Sequence, residues 1–184
     1  MNLIHLNIDQ LLLLCKGKNQ KAQFEIYNRY SKAMFNVAYR IVKDEHYAED
    51  VMQEGFLKAF TKIDSYRNEV PFGAWLKKIV VNASIDFYKK NTKFKVEECS
   101  DTIQKIEEVD QYQFEAVDFT NLKVQQILEV MNTLKSSYSI ILTLFYIEGY
   151  DQEEISQILN ISYTNCRTTL SRAKDCLRIK LMKI

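Results

Sequence analysis

The residues richest in interaction chemistry lie near the carboxy terminus: Thr164, Asn165, Arg167, Thr168, Ser171, Arg172 and Lys174, with Arg178 after them. On a helix, these spacings put hydroxyls and an amide that can reach base edges in the first turns, with phosphate-holding cations beside and after them. A plain amphipathic helix with a solvated basic face would carry the same residues, so the neighbouring elements must decide. A second basic set, Lys77, Lys78, Asn82, Lys89 and Lys90, occupies another helical pattern, and Arg67 and Asn68 stand in the stretch before it. Such groups can track a phosphate backbone. Asp50, Gln53 and Glu54 have the opposite character and suit a basic partner surface.

Catalytic readings find less support. Glu45 with Glu49 and His46 with Asp50 stand at i, i+4, so a helix could offer carboxylate and imidazole together. Carboxylate-bridged metal bundles need two Glu-x-x-His pairs, however, and neither His5 nor His46 closes one. Cys15, Cys99, Cys166 and Cys176 form no CxxC pair, which argues against zinc and against a disulfide framework and fits a reducing cytoplasm. Gly17, Gly55, Gly73 and Gly149 are too dispersed for a loop that wraps a phosphate. No catalytic residue, metal, cofactor or small-molecule substrate is expected.

Four glycines and one proline in 184 residues are too few for a hairpin-rich β fold. The expected class is all-α, with two small helical domains joined by an acidic linker. Asn7 and Gln10 form a capping-box pattern before Leu11 to Cys15. A long helix follows from Asn19 to about Val42 with Tyr27, Tyr30, Met34, Val37 and Ile41 on one stripe, then another to Ile63 with Ala48, Met52, Phe56 and Ala59 inward. Residues 64–71 read as a loop ending at Pro71, and Phe72, Leu76, Ile79, Ala83 and Phe87 as the next stripe, with Trp75 beside it. Periodicity resumes with Val124, Ile127, Leu128, Met131 and Leu134, and again with Tyr138, Ile141, Leu142 and Phe145, closed by Gly149. Asp151 and Glu154 then cap a short helix through Leu159, Asn160-Ile161-Ser162 forms a tight turn, and Cys166, Leu170, Ala173, Leu177 and Leu181 line a final helix. Short helix, tight turn and longer helix make a helix-turn-helix.

The net charge of +1 conceals a division along the chain: residues 1–91 carry +4, 92–95 carry +2, 96–118 carry −7 and 119–184 carry +2. The acidic stretch has the composition of a linker. Boundaries are therefore placed at 1–92 for the first domain, 93–119 for the linker and 120–184 for the second domain. The apolar run at residues 11–15 is too short for a membrane span and lacks the basic flank and cleavage site of a signal peptide.

Residues 148–162, continuing into Arg167-Thr168-Thr169-Leu170-Ser171-Arg172-Ala173-Lys174, resemble the carboxy-terminal promoter-binding domain of bacterial sigma factors. Residues 48–60 resemble their polymerase-clamp-binding segment, and Phe72-Gly73-Ala74-Trp75-Leu76 with Asn82, Asp86, Lys89 and Lys90 the segment that binds and melts the minus-ten element. The resemblance is to the small extracytoplasmic-function type and covers roughly residues 20–90 and 120–184. It departs from the pattern at Lys135-Ser136-Ser137-Tyr138 and at Ser162, where the family often has proline.

The resemblance implies an alternative sigma factor whose partners are core RNA polymerase and promoter DNA, with catalysis left to the polymerase. It implies minus-thirty-five contacts from Thr164, Asn165, Arg167, Thr168, Ser171, Arg172 and Lys174, and minus-ten contacts from Arg67, Asn68, Lys77, Lys78, Asn82, Lys89 and Lys90. Asp50, Gln53, Glu54 and Phe56 become polymerase contacts, although periodicity points Phe56 inward. Tyr66, Arg67, Asn68 and Glu69 occupy the loop with which the family captures a flipped base, and the linker would run toward the path of emerging RNA. An anti-sigma partner is left open. The competing reading is a free-standing helix-turn-helix regulator, against which the polymerase-binding resemblance at residues 48–60 argues.

Overall fold

A computed structural model describes residues 3–92 and 119–182. All regular structure among these residues is helical. The chain forms two compact units divided between Phe94 and Lys95. The acidic linker lies outside the described residues, apart from Phe119, which already opens a helix.

The first unit begins with α1, Ile8–Lys16, whose capping box is formed as expected: the Asn7 side chain accepts from the Gln10 backbone N–H, and the Asn7 N–H donates to the Gln10 side chain. Leu11, Leu12 and Cys15 are buried against α2, Gln20–Val42. Ahead of α1, the Arg29 guanidinium of α2 donates to the backbone carbonyls of Leu6 at 2.8 Å, Ile4 at 2.8 Å and Leu3 at 3.4 Å. Its Nε bonds Glu25 at 2.7 Å, so a single side chain ties the amino-terminal segment to the bundle.

α3, Glu45–Thr61, starts at the N-cap Asp44, whose carboxylate accepts from the Tyr47 N–H. A 3-10 turn, Ile63–Ser65, follows, and α4 spans Phe72–Thr92. α2, α3 and α4 pack on one another in all three pairings. Being wedged between two helices, α4 buries more than a stripe: Phe72, Leu76, Val80, Val81, Ala83, Ser84 and Ile85 are all inside. The expected stripe is corrected accordingly, with Val80 buried and Ile79 and Phe87 only half-buried. α3 and α4 meet tightly at Gly55, where an added Cβ would stand 2.8 Å from Val80 Cγ2, on a β-branched side chain with little freedom to yield.

The second unit contains α5, Phe119–Asn132, α6, Ser136–Leu142, α7, Gln152–Leu159, and α8, Tyr163–Leu181. α6 begins at Ser136 without proline, the Lys135 carbonyl accepting from Tyr138 and Ser139. It continues into a π-helical stretch, Thr143–Ile147, sealed by a Glu148 N–H to Thr143 C=O bond, and Gly149 then turns the chain at φ 78°. With α5 and α8 against it, α6 is buried nearly all round, from Ser139 through Leu144, while Tyr138 and Phe145 are half-buried. On α5 the apolar pattern overshoots the core: Met131 and Leu134 are buried, but Val124 and Ile127 are exposed and Val130 is buried instead.

Gly55→Ala is expected to destabilise the first unit by about 1–3 kcal/mol through overpacking, less the roughly 1 kcal/mol that alanine gains over glycine in a helix. Urea melts followed by the fluorescence of Trp75, the one tryptophan in the chain, report this unit. Val80→Ala should cost less in the Gly55→Ala background than alone, since it removes the clash.

Candidate nucleic-acid and polymerase interface

The helix-turn-helix is set by two chain reversals. α7 starts with a reciprocal capping box, the Asp151 carboxylate accepting from the Glu154 N–H at 2.8 Å and the Glu154 carboxylate from the Asp151 N–H at 3.0 Å. It ends at Asn160, in the left-handed region at φ 55°, a conformation asparagine tolerates better than most residues. Two residues on, the Ser162 hydroxyl accepts from the Asn165 N–H and starts α8, so serine serves where a proline could have stood. Cys166, Leu170, Ala173 and Leu177 are buried, fixing the rotation of α8 about its axis. Cys166 is a packing residue as expected, and burial raises its thiol pKa.

That rotation leaves Thr164, Arg167, Thr168, Ser171 and Arg172 exposed and Asn165 half-buried. The Asn165 side-chain oxygen accepts from the Thr169 hydroxyl at 3.1 Å, and the Thr168 hydroxyl donates to the Thr164 carbonyl at 2.9 Å. One residue departs from the expected set. Lys174 is half-buried with its Nζ 4.4 Å from the centroid of the Phe145 ring and 5.4 Å from that of Tyr146, so its cation is engaged by aromatic faces within the unit. The π-helical stretch carries both rings, and its irregularity was not legible in the sequence.

In the first unit the solvent side of α3 presents Glu49, Asp50, Gln53 and Glu54. Gln53 donates to Glu49 at 3.3 Å, and Glu54 pairs with Lys58 at 2.7 Å across one exposed turn, an ion pair of little energetic weight. Phe56 is corrected to a core residue: it is 2% exposed, with its ring 4.9 Å from Tyr27 and 6.0 Å from Phe60. The apolar group on the outer face is instead Leu57, 68% exposed and one turn beyond Gln53 and Glu54. The available signal was a leucine out of phase with the inward stripe. Glu45, His46, Glu49 and Asp50 are all exposed, and no group of three His, Cys, Asp or Glu able to hold a metal occurs among the described residues.

On α4, Lys78, Asn82, Asp86 and Lys89 fall within about 80° of arc, with Lys90 next to them. Lys78, Asn82, Asp86 and Lys90 are exposed and Lys89 half-buried. Lys77 does not join them: it lies about 140° from Asn82 by helical rotation, in the broad packed sector, and is half-buried. In the loop before α4, Arg67 and Asn68 are exposed and Asn68 is left-handed at φ 58°. Tyr66 differs from expectation. It is 8% exposed, with its ring 5.2 Å from Trp75 and 5.6 Å from Phe72, so it offers no free platform for a base.

Comparison with known proteins finds a family match in each of the two units. The family model for Sigma-70 region 2 matches residues 26–94, and that for Sigma-70 region 4 matches residues 124–177. The chain is 32% identical over 158 residues to the ECF RNA polymerase sigma factor SigM of Bacillus subtilis, covering 84% of this chain and 91% of that protein. It is 28% identical over 174 residues to SigW of the same organism, covering 90% and 92%. Among solved structures, CnrH in complex with the cytosolic domain of CnrY aligns with a TM-score of 0.54 at 21% identity, covering 94% of this chain and 96% of that one. RpoE of Bartonella quintana in complex with the anti-sigma factor NepR aligns at 0.55 and 20% identity, covering 87% and 96%; both likenesses concern the fold. With two regions matched in order and a relative of this closeness across most of both chains, the protein belongs to the extracytoplasmic-function sigma factors of the sigma-70 family.

Proposed function

We propose that this sigma factor divides its work by surface: α3 docks core polymerase, α4 and the loop before it take the minus-ten element, and α8 takes the minus-thirty-five element. The observation that carries this reading is the outer face of α8, where Thr164, Arg167, Thr168, Ser171 and Arg172 are exposed directly after the capped turn. Asn165 at the same end supplies an amide for a base edge, while Arg167 and Arg172 supply cations for phosphate or guanine. Lys174 acts mainly through its aromatic contacts.

On α3, Asp50, Gln53 and Glu54 give the polymerase-facing surface its acidic character, and Leu57 adds an apolar anchor of the kind that dominates interface energies when enclosed by polar groups. On the minus-ten side, Lys78, Asn82, Lys89 and Lys90 follow the backbone, while Arg67 and Asn68 meet an extruded base. Lys77 stands outside this set. The working boundaries are 1–92 and 120–184 with the acidic linker between, directed toward the RNA path of the polymerase. The protein has no catalytic function of its own and works in the cytoplasm, where its polymerase is. An anti-sigma factor is a further proposed partner, supported by the structural likeness to a sigma factor solved with NepR.

Run-off transcription and core-binding assays separate these roles. Arg167→Ala and Arg172→Ala should each weaken minus-thirty-five-dependent initiation by about 1–3 kcal/mol while leaving core affinity unchanged. Charge reversal at Asp50 and Glu54, or Leu57→Ala, should lower core affinity without altering promoter preference once holoenzyme has formed. Equal loss of both activities in either set overturns the division.

Lys174→Ala should mainly lower the stability of the second unit, by roughly 0.5–1 kcal/mol or more, with a smaller effect on DNA binding than Arg172→Ala. Thermal unfolding and promoter-fragment binding on the same preparations check this. The isolated protein should bind promoter fragments weakly and lose binding steeply between 50 and 200 mM salt, roughly as a few phosphate contacts dictate.

A further inference from the structure

We infer that Tyr66 is a positioning residue for minus-ten recognition, its phenol acting as a latch that holds the Arg67-Asn68-Glu69-Val70 loop in its reading shape before DNA arrives. The inference rests on the assignment of Arg67 and Asn68 to an extruded base, and it adds what keeps them in place. The Tyr66 hydroxyl donates to the Val70 carbonyl at 2.7 Å, closing the loop across its base. The ring is gripped from several sides. Phe72 meets it edge-on at 5.6 Å, Trp75 lies at 5.2 Å, and Tyr30 of α2 packs edge-on against Phe72 at 5.5 Å. α1 touches the 3-10 turn immediately before it, so the amino-terminal helix supports the same corner.

Between the two ends of the latch, Arg67, Asn68 and Glu69 are exposed, and Asn68 holds the left-handed conformation that turns the chain. An exposed turn closed only by its backbone would sample many shapes, and each ordered residue would add an entropic cost to DNA binding. A buried ring bonded to the far side of the loop removes part of that cost in advance. Burial, with Asp9 and Tyr30 nearby, raises the Tyr66 pKa, so the phenol keeps its proton and its donor role under ordinary conditions.

The test uses holoenzyme assembled from the full chain and core polymerase. The probes are a single-stranded minus-ten oligonucleotide of the non-template strand and versions of it substituted at the extruded base. Tyr66→Phe keeps the ring contacts and deletes the latch hydrogen bond; it should bind the cognate oligonucleotide roughly three- to tenfold more weakly, with part of the discrimination against substituted bases lost. Core affinity and binding to a minus-thirty-five duplex should stay as in the wild type. Asn68→Gly keeps the left-handed backbone but removes the amide, and Arg67→Ala removes the cation, so both should lose base discrimination with the latch intact.

If Arg67→Ala and Asn68→Gly lose discrimination while Tyr66→Phe matches the wild type, the latch is overturned and the base-reading assignment stands. Should Arg67→Ala and Asn68→Gly both bind and discriminate normally, the base-reading assignment itself fails and the latch with it. A Tyr66→Phe loss shared equally by core, duplex and single-strand binding makes the residue merely structural and also overturns the proposal.

Discussion

The requirement that α4 bury itself against α2 and α3 at once places almost everything else in the first unit. At Gly55 the lack of a side chain lets α3 close on α4, with Val80 filling the space a side chain would have taken. Once α4 is wedged there, its solvent sector is narrow, and the sector selects which polar residues are available to a nucleic acid. Lys78, Asn82, Lys89 and Lys90 fall in it or at its edge, whereas Lys77, only one residue from Lys78, is turned toward the packed side. The same constraint fixes the start of α4 and therefore the exit of the loop carrying Arg67 and Asn68. α3, on the other flank, has its inner face committed to the core through Val51, Met52, Gly55 and Phe56, which leaves Asp50, Gln53, Glu54 and Leu57 outside.

In the second unit the equivalent constraint is rotational. Cys166, Leu170, Ala173 and Leu177 lock α8 by one edge, and the capped turn before it sets where the helix begins. A helix whose start and rotation are both fixed can present short side chains such as Thr164 and Ser171 at a repeatable height above a groove. Lys174 lies close to the locked edge, and its cation is used against Phe145 and Tyr146 within the unit.

Much of this was legible in the residues. Capping boxes at Asn7 and Asp151, the serine cap of α8 and the left-handed Gly149 depend on short-range chemistry with strong residue preferences, and the structure has all of them. The buried stripe of α8 was equally clear because that helix has one packed side. The pattern misled where a helix has neighbours on several sides: Ile79 and Val80 exchange roles on α4, and α6 is buried around most of its circumference. Phe56 and Tyr66 show a second limit. An aromatic residue in an interaction segment looks the same in sequence whether it faces a partner or supports the residues that do, and only the rings around it decide. The ring contacts of Lys174, which the sequence placed among the DNA-facing residues, were missed for a related reason, since the π-helical stretch that brings Phe145 and Tyr146 under it has no sequence period of its own.

The Arg29 clasp has a consequence for how the start of the chain can vary. Its guanidinium holds Leu3, Ile4 and Leu6 by their carbonyl oxygens, groups that every amino acid carries. Side chains at these positions can therefore drift without releasing the segment, whereas Arg29 has no adequate substitute: a lysine brings a single nitrogen where the present arrangement uses three, including the bond to Glu25. The amino-terminal segment is thus written loosely in its own residues and tightly in one residue of α2, and its tolerance to change is encoded more than twenty positions away from where it would be seen.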